Sequence, residues 1–408
     1  GILKIATRDF MRQLRTMEVT GARGRRERLS GRARFARYFA GSMVDVYGGI
    51  FSRSSAFDPE APPRKKRELR VDEPSVEQLP TPDGAQIRLT RYAGDRGPVL
   101  LAHGLGCSSG LFTADTVDTN LVEYLVSHGF DVWTLDWRGS FELPTALGDW
   151  TLDDVAAHDW PIAVARVREV TGAGQVALVG EGVGAVTMLG SMLLGLDGVG
   201  SATALGAGVH ITSPRAGGRS RGLDGGLSLS RGERFSGRLA DLLLKARPMQ
   251  KEERCASPVC RRATYVYGHL FEHDQLNHLT HETLHEQLSL PSRTALEQLR
   301  RSAKRGHLVA ADGSERYLPA LGKLTMPLAF VHGAESETFR PQGTEATVAA
   351  LREAGIPSGH VTLALVPDYG HVDLLIGKNA DRDVFPLVLA QVERTAAPRT
   401  GADALVEA

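Results

Sequence analysis

One stretch of this chain restricts its fold more than any other. Residues 175–194 read QVALVGEGVGAVTMLGSMLL. A short apolar run followed by glycines reads as a buried strand, and the longer apolar run after it as a buried helix. Between them, Gly180-Glu181-Gly182-Val183-Gly184 makes a sharp turn in which strand and helix backbones come close, which glycine allows. A strand feeding directly into a helix is the repeating unit of a parallel sheet. At such a turn residue 182 is lifted to the sheet rim, where some enzymes hold an attacking side chain. Here it is glycine. A dinucleotide loop, G-x-G-x-x-G, is the other motif with this look, but Thr187 stands where that register needs Gly or Ala.

The chain around this unit continues the alternation. Strands are expected at 86–92, 98–103, 130–136, 175–179, 201–207, 327–332 and 361–366. Helices are expected at 120–128, 156–170, 344–354 and 379–394. That order implies a mainly parallel, doubly wound sheet. Residues 211–321 interrupt it with a polar, Gly/Arg-rich and then helical stretch, read as a cap inserted between core segments 71–210 and 322–408. Residues 1–70 read as an N-terminal extension and linker. Phe35, Tyr38, Phe39, Met43 and Tyr47 recur there at helical spacing, and the basic run at 61–70 reads as a solvated connector.

Composition excludes several classes. Lys plus Arg and Asp plus Glu both number 48, so no overall positive field favours nucleic acid. With 42% hydrophobic and 24% charged residues the chain matches globular proteins, and no apolar run is long enough for a membrane span. Three cysteines do not make a disulfide framework, and a cytoplasmic location is expected. Cys255 and Cys260 can close a small disulfide loop in an oxidising compartment.

Four segments carry candidate chemistry. His103-Gly104-Leu105-Gly106 follows a strand, and such a turn exposes backbone N–H groups. Leu105 N–H, with Val183 N–H after the glycine turn, can hold a developing oxyanion. His103, Gly104 and Cys107 would then line the substrate. His371, in DYGHVD after the last strand, is the candidate general base. Glu335, Ser336 and Glu337 follow the preceding strand. Ser336 stands where an orienting Asp is expected, and either flanking glutamate can take that role. Glu181 is a further candidate acid or base. Cys107 is a displaced-thiol candidate, weighed against ordinary apolar packing. The histidines at 269, 273, 278, 281 and 285 include two i,i+4 pairs. They lack HExxH or paired CxxC, so helix packing is preferred and no metal is expected.

Taken together, these segments resemble the α/β-hydrolase domain that follows the flavin-binding part of long cholesterol-oxidase-like (GMC oxidoreductase) proteins. The resemblance rests on RQLRTMEVTG, GPVLLAHGLGCSS, DTVDTNLVEYLVSHGFDVWTLDWRGS, EERCASPVC, YGHLFEHDQLNHLTHETLHE and DYGHVDLLIGKNADRDVFPL. The glycine turn at 180–184 has the spacing of a G-x-S-x-G nucleophile elbow and is also similar to the elbows of polyester synthases and other hydrolases with a Cys nucleophile. It implies an α/β-hydrolase fold, with His371 as base and residues 103–106 as oxyanion loop. The resembling domains read His-Cys-x-Gly at the elbow; this chain has Glu181 and Gly182 instead. Flavin does not carry over, because no flavin-binding segment is present, and no cofactor is expected. The chain begins where the oxidase part would end, which implies a separated or processed half.

The expected function is a hydrolase-like enzyme for an ester, thioester or lactone of an apolar, steroid- or polyketide-like molecule. Gly182 closes the acyl-enzyme route, leaving water or proton-transfer chemistry at a carbonyl. The alternative is a catalytically silent ligand-binding or assembly domain that partners a flavoprotein oxidase domain or subunit.

Overall fold

A computed structural model of the chain describes residues 64–212, 257–289 and 291–395. Its centre is an eight-stranded sheet: β1 (Ser75–Pro80), β2 (Gln86–Tyr92), β3 (Arg96–Ala102), β4 (Phe130–Asp136), β5 (Val176–Glu181), β6 (Val199–Leu205), β7 (Leu328–Gly333) and β8 (Val361–Val366), in the order β1-β2-β4-β3-β5-β6-β7-β8. The β1–β2 and β2–β4 pairs are antiparallel; every other pair is parallel. The central strands β4, β5 and β6 are buried along their whole length.

Helices α1 (Leu121–Ser127), α2 (Trp160–Thr171) and α3 (Val183–Leu194) occupy the first half. Helix α1 starts with a capping box, in which the Asn120 side chain accepts from Glu123 N–H and Glu123 accepts from Asn120 N–H. Helix α3 is buried on every side except at Leu194, which explains why its sequence is apolar all round rather than striped.

Between β6 and β7, the described part of the insertion forms α4 (Pro258–Tyr267), α5 (His278–Glu282) and α6 (Arg293–Arg305), with short 3-10 turns between them. Helices α7 (Pro341–Glu353), α8 (Ala380–Asp383) and α9 (Phe385–Val392) follow.

The structure corrects three expectations. The edge strand β1 was not anticipated, because its SVEQLP sequence is largely exposed and lacks an apolar face. The helix expected over 379–394 is two helices, broken at Val384, with Pro386 unable to donate the bond that would continue the first. The basic connector at 61–70 is not merely solvated where it is described. Arg64 pairs with Asp115 and Glu286, and Arg67 and Arg70 pair with Glu123. Burial pushes the Glu123 carboxyl up, but Arg67 and backbone N–H groups of Arg70 and Asn120 more than offset it, holding Glu123 at about 2. The aromatic stripe at 35–47 and residues 213–256, including Cys255 of the Cys255–Cys260 pairing, lie outside the described residues. Among the described residues, no helix is long and apolar enough to cross a membrane.

Candidate active site

The site lies at the C-terminal rim of β3, β5, β7 and β8. After β5 the chain turns through Gly182 at φ 52° and ψ −119° into α3. A side chain would be strained at this positive φ, and glycine adopts it without that cost. Glycine is needed beside it for space: a β-carbon at residue 180 would lie 2.6 Å from Ala185 Cα.

Residues 182 and 371, 189 positions apart in the sequence, meet here. A β-carbon at position 182 would sit 2.9 Å from His371 Nε2 and 3.8 Å from Gly104 Cα. The first distance is below normal contact. The His371 ring therefore leans into the space that an attacking side chain would use.

It does so because its partner is Glu181. Glu181 Oε1 lies 3.1 Å from His371 Nε2, and both side chains are buried. The other carboxylate oxygen, Oε2, is buried without a hydrogen-bond partner among the described residues and crosses against Gly104, where a side chain would collide with it. One face of this carboxylate is thus held by an imidazole while the other meets the loop after β3.

The oxyanion candidates share the same space. Gly104, Leu105, Glu181, Val183 and His371 line one pocket with an empty volume of about 500 Å³. Its remaining wall is mainly apolar: Leu270, Leu288, Leu296 and Leu299 from the insertion, and Phe339 and Val372 from the core. Tyr267 and Thr338 complete it.

Cys107 also lines the pocket. Burial, and then the charge of Glu181, push its thiol well above the usual range. It stays protonated and is a poor nucleophile. His103 is fully buried and stacks on Trp137 with ring centroids 5.0 Å apart. Burial pushes its imidazole down, and its Nδ1–H donates to Gly104 O at 2.7 Å, bracing the loop. His103 does not line the pocket among the described residues.

The orienting acid is the main correction. Among the described residues His371 Nδ1 is buried with no hydrogen-bond partner, so neither Glu335 nor Glu337 orients the ring, and both are exposed. Ser336 is buried but turns away, its hydroxyl donating to Phe339 O at 2.7 Å. His332 Nε2–H donates to the same carbonyl and Thr344 donates to His332 Nδ1, with burial pushing His332 down to about 4. The loop after β7 is therefore knotted around Phe339 O. It presents the Phe339 ring to His371, with centroids 5.5 Å apart, instead of a carboxylate.

His371 is held in place by backbone. Both His371 N–H and Val372 N–H donate to Leu270 O, at 2.8 and 2.9 Å. Tyr267, Leu270 and Phe339 were not singled out from the sequence. Each is an ordinary apolar or aromatic residue, and only the folded chain brings them to the pocket.

Comparison with known proteins agrees with this architecture. The alpha/beta hydrolase fold family model matches residues 97–216. Lipase lipl-5 of Caenorhabditis elegans is 31% identical over 104 residues, which cover 23% of this chain and 26% of that lipase. Triacylglycerol lipase 2 of Arabidopsis thaliana is 29% identical over 100 residues, covering 22% of this chain and 24% of the lipase. The chain thus spans about a quarter of the length of these curated relatives. A thermophilic esterase from Thermogutta terrifontis, solved with malate bound, superposes with a TM-score of 0.52 at 19% identity, covering 79% of this chain and all of that one. DcsB, solved with a substrate analogue, superposes at 0.51 with 14% identity and covers 79% of this chain. With its mostly parallel eight-stranded sheet, the chain carries an α/β-hydrolase fold domain.

Proposed function

We propose that the chain is an enzyme for esters, thioesters or lactones that works by proton transfer at the Glu181–His371 pair, without an acyl-enzyme at residue 182. The observation that carries this reading is the buried Glu181 carboxylate. One oxygen is 3.1 Å from His371 Nε2 and the other lies unpartnered beside the Gly104 loop. An unpartnered buried carboxylate oxygen is costly to maintain, and such groups concentrate at sites of chemistry.

In this reaction the substrate carbonyl lies over Gly182, its oxygen directed to the N–H groups of Leu105 and Val183. Water attacks the carbonyl carbon as Glu181 takes its proton. The new C–O bond places charge on the carbonyl oxygen, which the two N–H groups stabilise. The proton passes to the leaving oxygen or sulfur through His371 as the carbonyl–leaving-group bond breaks.

The apolar wall supports a substrate with an apolar body; its steroid- or polyketide-like nature rests on the sequence resemblance. In this reading the insertion at 211–321 is the cap, since it supplies Tyr267 and the leucine face of the pocket.

Two observations favour a second reading, a silent ligand-binding or assembly domain beside a flavoprotein oxidase: the bare Gly182 and the unpartnered His371 Nδ1. The oxidase partnership itself rests on the sequence resemblance; the relatives named above are lipases and esterases.

Short- and medium-chain p-nitrophenyl esters and thioesters separate the two. The enzyme reading expects turnover, with kcat/KM reduced at least ~10²-fold in both Glu181→Gln and His371→Ala. No turnover in the wild-type protein, or wild-type rates in both variants, rejects it. Stable co-purification with a flavoprotein, without turnover, supports the silent reading.

A further inference from the structure

The inserted segment holds a cluster that the pocket chemistry does not use. Cys260 on α4, His273 at the start of a 3-10 turn and His281 on α5 each direct one ligand atom to a common point. These three atoms all lie within 4.8 Å of one another. Cys260 Sγ is 3.3 Å from His273 Nε2, and the His273 and His281 rings are 5.2 Å apart at 51°. We propose that Cys260, His273 and His281 bind a zinc-type divalent cation that fixes the segment whose Leu270 carbonyl holds the His371 loop.

The donor set fits that ion. One thiolate and two imidazoles are borderline-soft ligands that zinc accepts in tetrahedral geometry. With Zn–S near ~2.3 Å and Zn–N near ~2.0–2.1 Å, tetrahedral ligand atoms stand roughly 3.3–3.6 Å apart. The observed spacing needs only a small inward adjustment, with water as the fourth ligand. Supporting groups are also present. His281 Nδ1 lies 3.5 Å from Glu282 Oε1, which leaves Nε2 for the metal and supplies the carboxylate that commonly backs a ligating histidine. Phe271 packs edge-on against both rings, at 5.3 and 6.3 Å, and shields one side.

The i,i+4 spacing seen in the sequence does not build this cluster. The segment is broken into a 3-10 turn and short helices, so the paired faces never form. His269 lies by Glu272 at 3.6 Å, and His278 and His285 are exposed.

The location gives the site its consequence. Between the first two ligands lie Tyr267 and Leu270, which line the pocket, and Leu270 O accepts from His371 N–H and Val372 N–H. Glu272 N–H donates to Asp373 Oδ2, and Lys378 N–H to Gln275 O. A metal joining the two ends of this segment would restrict the backbone that positions His371. The metal binding itself does not depend on the reaction assigned to the pocket.

The test uses the full chain, kept reduced, loaded with zinc and dialysed against metal-free buffer. One retained zinc per chain is expected by elemental mass spectrometry. In chelator competition, Cys260→Ser, His273→Ala and His281→Ala should each lose at least ~10-fold in zinc affinity, while His278→Ala and His285→Ala keep it. Cobalt(II) added to the wild-type chain should give a thiolate-to-metal charge-transfer band, a readout that needs no variant to fold. No retained zinc, no such band, or equal affinity in all five variants overturns the site. Hydrogen exchange at the His371 and Val372 amides should slow when zinc is added; unchanged exchange overturns the fixing of that segment.

Discussion

Asp136 and Glu181 end strands that flank β3 in one sheet, and both carboxylates are buried, yet their surroundings differ completely. Asp136 accepts from Ser109 N–H, from the Ser109 and Ser140 hydroxyls and from Arg88. Burial pushes its carboxyl up, but the neighbouring His103 ring and the Ser109 and Ser140 donors more than offset that and hold it below the usual range. Glu181 has His371 on one oxygen and nothing on the other. Asp373, beside His371, is intermediate: Oδ2 accepts from Gly370 N–H and Glu272 N–H, while Oδ1 has no partner. A fully satisfied buried charge is the mark of architecture. One left half-satisfied at a pocket wall is held there against its own solvation, and only the surrounding fold keeps it in place.

The largest expected effect comes from the satisfied member. Asp136→Ala strands Arg88 and three other donors, so urea unfolding should show a loss of about 3–5 kcal/mol. A loss under about 1 kcal/mol would erase the contrast with Glu181.

Next comes Asp373, whose carboxyl burial raises from 3.8 to about 6, against the pull of its N–H donors. The folded chain then holds a proton that the unfolded chain has released. Its contribution is fully present below the unfolded value and is lost as pH rises through about 6. The loss amounts to about 3 kcal/mol between the two limits. The difference in unfolding free energy between wild type and Asp373→Asn, followed from pH 4 to 7, should therefore slope in that sense. A flat difference rejects the assignment.

The smallest stability effect belongs to Glu181→Gln. It removes a poorly compensated charge at nearly constant volume, so stability should stay within about 1 kcal/mol of wild type or rise. Coupled with the loss of turnover expected above, that result would separate the two carboxylates by role. A loss as large as that of Asp136→Ala would make Glu181 architectural as well.

Much of the frame was legible beforehand. The limits of β2, β4 and β8 coincide with the expected ones, because each is a short β-branched or aromatic-rich stretch bounded by Gly, Asp or Pro. The strand β1 and the break before α9 were not legible. An exposed edge strand carries little pattern, and the Val384–Pro386 break interrupts an otherwise continuous helical period. At the site, Gly104, Leu105, Cys107, Glu181, Val183 and His371 do line one pocket. The glutamates after β7 do not orient the imidazole. Position after a strand says where a loop begins, while the hydrogen bonds around Phe339 O decide which of its side chains turns inward.

By itself, then, the sequence determined the alternating strands and helices and the glycine turn at 182, since local periodicity and the absence of a Cβ act over a few residues. Only the tertiary structure decided that His371 would lean on Glu181 rather than on an acid from the β7 loop. It also decided that Cys260, His273 and His281 would converge. Such pairings join residues far apart in the chain, and their energies depend on burial and distances that no short stretch of sequence contains.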